Sequence, residues 1–302
     1  MSNIKNNMNI KMPPDMTIGS PTLRVKDLQK QLSFYENDLG LQVNRRYQTD
    51  DNLETVDLGF KGKFRDHSEP LLILKHDPNA KQAMHNFAGL YHFAILVPDR
   101  KNLAFAYSSI KNSKVHFDGF ADHLVSESLY LHDPELNGIE IYSDKPQNKW
   151  QYDIEGYVIM DTLPLDLESL LSELSKDERE NITFPNGAKI GHMHLRVTNL
   201  ERSVRFYQKL GLDITYDWSA VGASFLSAGG YHHHLGLNTW HSLGGKTHVK
   251  GEAGLDVFEI LVPDSSFLDI LTKELEEHVQ KTDHNELLLS DPDGIIFVIK
   301  SQ

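Results

Sequence analysis

The sequence predicts an α+β protein built from four copies of a βαβββ unit, and three observations carry that prediction. First, the chain repeats itself. Leu23-Arg24-Val25-Lys26-Asp27-Leu28, Ser33-Phe34-Tyr35 and Leu39-Gly40-Leu41 return in the second half as Leu195-Arg196-Val197-Thr198-Asn199-Leu200, Arg205-Phe206-Tyr207 and Leu210-Gly211-Leu212. Second, a weaker repeat lies inside each half. Ile95-Leu96-Val97-Pro98-Asp99 matches Ile260-Leu261-Val262-Pro263-Asp264, and the Asp133-Pro134 turn matches Asp291-Pro292-Asp293-Gly294. Third, 302 residues at 39% apolar content suffice for about two cores, and global disorder is excluded.

Taken in order, residues 1–17 read as a flexible tail: Met1 to Met16 is polar, Asn-rich and broken by Pro13-Pro14. It lacks the apolar stretch of a signal peptide, which points to a cytoplasmic protein. Residues 18–144 form an N-terminal half of two units, 18–78 and 89–144, and residues 189–302 a C-terminal half of two more, 189–243 and 253–302. In the first and third units a short apolar strand runs into Asp27 or Asn199, both suited to cap a helix, and Gly40 or Gly211 closes that helix. Each Asp-Pro turn precedes a final apolar strand. Between the halves, residues 145–188 read as a connecting arm whose helix carries Leu167, Leu170, Leu171 and Leu174 on one face, between Pro164 and Pro185.

Composition narrows the function. With 43 acidic and 30 basic residues the net charge is −13, which argues against nucleic acid and anionic membranes as partners. No segment approaches the ~18 apolar residues of a membrane span. The chain has no cysteine, so disulfides, thiolate metal sites and cysteine nucleophiles are excluded together. Any metal must be held by nitrogen and oxygen donors, and 16 histidines are available.

Four such units with these turn signatures resemble the vicinal oxygen chelate superfamily, which includes glyoxalase I, bleomycin resistance proteins and type I extradiol ring-cleaving dioxygenases. The resemblance implies that paired units curl into two eight-stranded cup-like half-barrels, with a divalent metal in a cup. It also implies ligand positions: one on the first strand of a unit, three residues before the Leu of the Leu-Arg-Val pattern, and one on the last strand, seven residues after the turn Asp. Those positions hold Ser20, His92, His192 and Val257 on the first strands, and Glu140 and Val298 on the last strands of the second and fourth units. The metal set so implied is His92, Glu140 and His192. Two imidazoles and a carboxylate form the facial triad of non-haem Fe(II) enzymes. Two neutral donors and one anion leave the ion at +1, so an anionic chelating diol still binds.

Further residues point to the dioxygenase branch. Tyr130, ten residues before Glu140, resembles a tyrosine there that hydrogen-bonds a substrate oxygen. His233, in Tyr231-His232-His233-His234, resembles that branch's acid/base histidine, and strand alternation turns His232 and His234 away from it. His123 is similar to another pocket histidine, though at a different spacing. His132 and His194 read as strand-surface residues; Asn238 and Trp240 continue the His233 strand. Between Gly230 and Trp240 no carboxylate offers itself as a glyoxalase ligand.

The resemblance thus implies an Fe²⁺-dependent extradiol dioxygenase (Mn²⁺ or another divalent metal being the alternative) acting on a small aromatic diol and O₂. A glyoxalase-like metal lyase or transferase, or a non-catalytic quinone- or drug-binding resistance protein, are the other readings. The ligand distribution dictates the pairing. Joining units in chain order would leave two broken sites, whereas joining the second with the third, and the first with the fourth, reunites the triad in one cup. Completion across a homodimer is the second choice.

Overall fold

The computed structural model describes residues 10–60, 70–82, 86–180, 182–275, 279–281 and 286–302. A short strand β1 (Thr17–Ile18) precedes the first unit, which comprises β2 (Thr22–Val25), α1 (Leu28–Ser33, continued by a wider turn over Phe34–Asp38), β3 (Gln42–Gln48), β4 (Glu54–Gly59) and β5 (Leu72–His76). The second unit holds β6 (Gly89–Leu96), α2 (Arg100–Lys111), β7 (Phe117–Asp122), β8 (Ser126–His132) and β9 (Gly138–Asp144). The arm carries β10 (Leu163–Pro164), α3 (Leu167–Leu171) and α4 (Lys176–Glu180). The third unit has β11 (Lys189–Arg196), α5 (Leu200–Lys209), β12 (Asp213–Trp218), β13 (Ala223–Ser227) and β14 (Leu235–Asn238). The fourth has β15 (Gly254–Val262), α6 (Ser266–Glu274), β16 (Val279–Lys281), β17 (Glu286–Ser290) and β18 (Ile296–Ser301).

The local grammar of each unit is visible in its caps. Asp27, Asp99 and Asn199 each accept a hydrogen bond from the amide three residues on, at 3.0, 2.8 and 3.0 Å, and so start α1, α2 and α5. The arm helix breaks after Leu171, yet Leu170 and Leu174 both reach the core. Among the described residues no helix is long and apolar enough to cross a membrane.

The strands form two nine-stranded sheets. One runs β10-β7-β8-β9-β6-β11-β14-β13-β12, and the other β16-β17-β18-β15-β2-β5-β4-β3, with β1 added on β15. The second unit therefore joins the third and the first joins the fourth, through antiparallel seams β6–β11 and β15–β2. Each curled sheet is a half-barrel of eight unit strands plus one short strand from outside. Two buried tyrosines tie the half-barrels together in a pseudo-symmetric way. Tyr35 after α1 donates to Asp133 of the second unit's turn at 3.0 Å, and Tyr207 of α5 donates to Asp291 of the fourth unit's turn at 3.2 Å.

The expected flexible tail is corrected over its described part. Met12 and Met16 are buried, and the Met12 amide bonds the Gly211 carbonyl at 2.9 Å. Polar composition had outweighed two methionines spaced to anchor the segment on the core. Residues 1–9 lie outside the described part of the chain.

The Asp291 clamp has a pH consequence. Burial raises its carboxyl to about 7, so the folded state holds a proton that the unfolded chain releases near pH 4. Its stabilising contribution is complete below pH 4 and is lost as pH rises to 7. Asp291→Asn mimics the protonated form. In urea titrations at pH 5 and pH 8, wild type should lose about 2–4 kcal/mol relative to that variant on going to the higher pH.

Candidate metal centre

The site forms at the β6–β11 seam because the strand registers stack its residues in rows. Tyr130 lies opposite Glu140 on β8–β9, Glu140 beside Ala94 on β9–β6, and Ala94 beside His192 on β6–β11. The next row is Gly138, His92, His194 and Gly236. Ala94 is the small residue around which the larger ones close. The flanking glycines give the imidazoles room: a Cβ on Gly138 would approach the Tyr91 carbonyl to 2.2 Å and the His92 Cβ to 3.0 Å, and one on Gly236 would lie 2.9 Å from the His194 ring.

Three donor atoms converge there. His92 Nε2 and His192 Nε2 lie 3.4 Å apart, and Glu140 Oε2 is 3.0 Å from the first and 3.1 Å from the second. All three residues are buried. They form a group that can hold a metal ion, the one such group among the described residues. Burial acts to raise the Glu140 carboxyl, but His192 and His92 outweigh it and hold it well below the carboxylate range. Burial lowers His192 to about 4, so its ring stays neutral with a lone pair to offer. A single proton cannot bridge two facing imidazole nitrogens and a carboxylate at once, whereas one cation satisfies all three. The donor chemistry therefore fits a divalent ion. Ser128 Oγ donates to Glu140 Oε1 at 2.6 Å and orients the carboxylate. The other cup carries Ser20, Val257 and Val298 at the corresponding positions, which hold no donor set.

Around the centre lies a cavity of about 720 Å³. Tyr130 and His123 share one wall of it. The His123 Nδ1–H donates to the Asp161 carbonyl at 2.8 Å, which leaves Nε2 to accept from the Tyr130 hydroxyl at 2.7 Å. Burial, then the Glu140 charge, push the Tyr130 phenol well above its ordinary value, so it remains a donor. Met160, Asp161 and Thr162 line the cavity too, so the arm covers part of the cup.

His233 enters from the opposite side, its ring centre 4.2 Å from that of His192. Burial holds it well below its ordinary value, hence neutral. The expected alternation of the three histidines is corrected. Residues 232–234 lie in bends between β13 and β14 and not on a strand, so period-two alternation does not apply. His232 and His233 instead touch through their Nδ1 atoms at 2.7 Å, and His232 Nε2 meets Asp144 at 2.8 Å. His234 turns to Ser227, 2.7 Å away.

A second correction concerns His194. It is buried and lines the cavity, its ring 4.8 Å from that of His92, with Asn238 Nδ2 donating to its Nε2 at 3.0 Å. Two residues from His192 on one strand, it had to share the cup face. His132 is half-exposed, at the cavity mouth beside Asp118. Trp240 lines the cavity, as do Tyr91 and Arg196, neither of which the sequence reading had singled out.

A model described as "Glyoxalase/Bleomycin resistance protein/Dioxygenase superfamily" matches residues 17–151 and 189–299. The chain is 38% identical over 283 residues to catechol-2,3-dioxygenase of Bacillus subtilis strain 168, covering 92% of this chain and 94% of that one. Among solved structures, a putative dioxygenase from Bacillus subtilis superposes with TM-score 0.63 at 12% identity, over 96% of this chain and 86% of that one. Glyoxalase I from Zea mays superposes with TM-score 0.56 at 17% identity, over 94% and 92%. The two structures attest a shared fold.

Two expectations follow. Elemental analysis should find one tightly bound divalent ion per chain, lost in His192→Ala. Ser128→Ala removes only the orienting hydrogen bond, and metal titration should give about 10-fold weaker binding.

Proposed function

The chain belongs to the glyoxalase/bleomycin resistance protein/dioxygenase superfamily, and we propose that within it this protein is a metal-dependent extradiol dioxygenase that opens a catechol- or hydroquinone-type ring with O₂. The observation that carries the reading is the convergence of His92 Nε2, His192 Nε2 and Glu140 Oε2 beneath a cavity walled by the neutral His233 and the Tyr130–His123 pair. The activity named for the Bacillus subtilis relative supports it.

Fe²⁺, with Mn²⁺ as the alternative, would be held by His92, His192 and Glu140 and would supply chelation of the diol and binding of O₂. His233 is neutral on arrival of the substrate and so accepts the proton of a diol hydroxyl as that hydroxyl ionises. The Asp144–His232–His233 chain orients its ring and steadies the imidazolium that forms. His233 then returns that proton to an oxygen of the ring-opened product, so that none is gained or lost overall. Tyr130, its one proton given to His123 Nε2, accepts a hydrogen bond from the second hydroxyl of the diol, His123 keeping the phenol aimed. Both atoms of O₂ end in the open-chain product.

A glyoxalase-like activity fits less well, because no carboxylate stands between Gly230 and Trp240. A binder without turnover has no use for a buried, ionised Glu140.

The test is anaerobic Fe²⁺ reconstitution of the full chain, then oxygen uptake with a panel of catechols and hydroquinones. Ring cleavage strictly dependent on O₂ is expected. His233→Ala should keep the metal and lose about 10²- to 10⁴-fold in kcat. Metal-dependent turnover that persists without O₂ would overturn the proposal.

A further inference from the structure

The two cups are built on one plan, so each is a control for the other, and they differ sharply at one arginine. Arg24 on β2 and Arg196 on β11 occupy the same place in the repeat. Arg24 lies opposite Gly254 across one seam and Arg196 opposite Gly89 across the other. Arg24 is buried and fully neutralised: Nη1 donates to Asp77 at 2.9 Å, while Nη2 and Nε donate to Asp256 at 2.8 and 3.1 Å. Burial acts to lower its pKa, and these two aspartates outweigh that and raise it.

The registers identify what stands in their places around Arg196. Asp256 sits two residues past Gly254 in the bulge of its seam, as Tyr91 sits two past Gly89. Asp77 lies two residues beyond Lys75, the β5 partner of Arg24; Trp240 lies two beyond Asn238, the β14 partner of Arg196. Both aspartates have become aromatic residues, whose rings meet edge to face at 5.4 Å. Arg196 keeps its charge and loses both counter-ions. Its Nε is buried without a hydrogen-bond partner, and no described residue forms an ion pair with its guanidinium. Burial pulls its pKa below arginine's ordinary value, with only the Tyr91 hydroxyl on the favourable side.

Arg196 is half-buried, and a guanidinium taken partly out of water without an anion is costly unless something supplies one. This one lines the cavity, four residues along β11 from His192, about 13 Å of strand. Its planar fork matches a carboxylate. We propose that Arg196 is the anchor of an anion subsite, and that the ring this protein takes carries a carboxylate substituent. The proposal rests on the ring-cleaving reading and names its substrate class. Tyr91 and Trp240, which line the cavity with Arg196, give the subsite its aromatic sides. The chain's net charge of −13 repels acids at long range, so a local cation is what retains one.

The test uses the full chain with catechol and 3,4-dihydroxyphenylacetate as probes, first metal-free by calorimetry and then Fe²⁺-loaded by oxygen uptake. Without metal there is no diol chelation, and wild type should bind the acid about 10- to 100-fold more tightly than catechol. Arg196→Gln should erase that preference, Arg196→Lys should keep part of it, and Trp240→Asp, which restores the Asp77 counter-ion, should erase it as glutamine does. In the loaded protein the loss in Arg196→Gln should fall mainly on KM for the acid. Equal binding of both probes by wild type, or a preference that survives Arg196→Gln in folded protein, overturns the subsite. If no diol is cleaved but the metal-free preference depends on Arg196, the subsite stands and the dioxygenase reading falls. If catechol is cleaved and the acid is not preferred, the reading stands and the subsite falls.

Discussion

Everything functional in this molecule hangs on the register of one antiparallel seam. β6 and β11 come from opposite halves of the sequence, and their pairing sets His192 against Ala94 and His194 against His92. Because side chains alternate along a strand, a slip of one residue would turn every one of these groups out of the cup. Glycines at both ends of the histidine row and an alanine between the donors leave few other ways to fill that face. The seam is also held from outside it. The Tyr35–Asp133 and Tyr207–Asp291 clamps tie each half-barrel to the other, so the second and third units cannot shift without moving their partners.

Electrostatics then completes what register begins. A buried carboxylate is ordinarily driven towards its neutral form, yet Glu140 is held ionised by the two imidazoles that face it. His192 and His233 are driven the other way, both kept neutral by burial. Opposed effects thus leave an ionised Glu140 beside a neutral His192, a pairing that suits a divalent ion. The same burial keeps the His233 ring neutral, and the His232–Asp144 chain offsets what burial costs its imidazolium. One degree of solvent exclusion serves both ends.

Much of this was legible in the sequence because the chain writes its units four times. The repeat located Ser20, His92, His192 and Val257 at equivalent points, and their complementary pattern of retained and lost donors required the crossed pairing seen in the two sheets. Where the repeat is silent, legibility fails for physical reasons. His194 has no counterpart in the repeat to mark it as a cup residue, although its distance of two from His192 fixes its face and it is buried. The bend at residues 232–234 abolishes the alternation that a strand would impose, so the contact between His232 and His233 has no periodic signature. The arm's contribution of Met160, Asp161 and Thr162 to the cavity is loop structure, which depends on tertiary docking alone.

The pair of cups also separates what the fold needs from what the site needs. An arginine at the end of the first strand is common to both cups, supplied by the first and the third unit, so its presence belongs to that pair of repeats. What differs is its company: in one cup two aspartates complete a closed ion-pair network, extended by Lys75 to Asp51 at 2.7 Å. That cup also carries a serine and two valines, Ser20, Val257 and Val298, where the other carries its donors. In the other cup the donors are kept, the counter-ions are gone and aromatic rings stand in their place. Loss of charge balance would be a defect in a purely structural element, because a half-buried cation with no partner gives up hydration and gains no ion pair in return. It is tolerated only beside the donors, in the cup that encloses a cavity. Within one chain, therefore, two copies of a single architecture differ in donors and in charge balance together, which is what the proposed site requires of the cup that holds it.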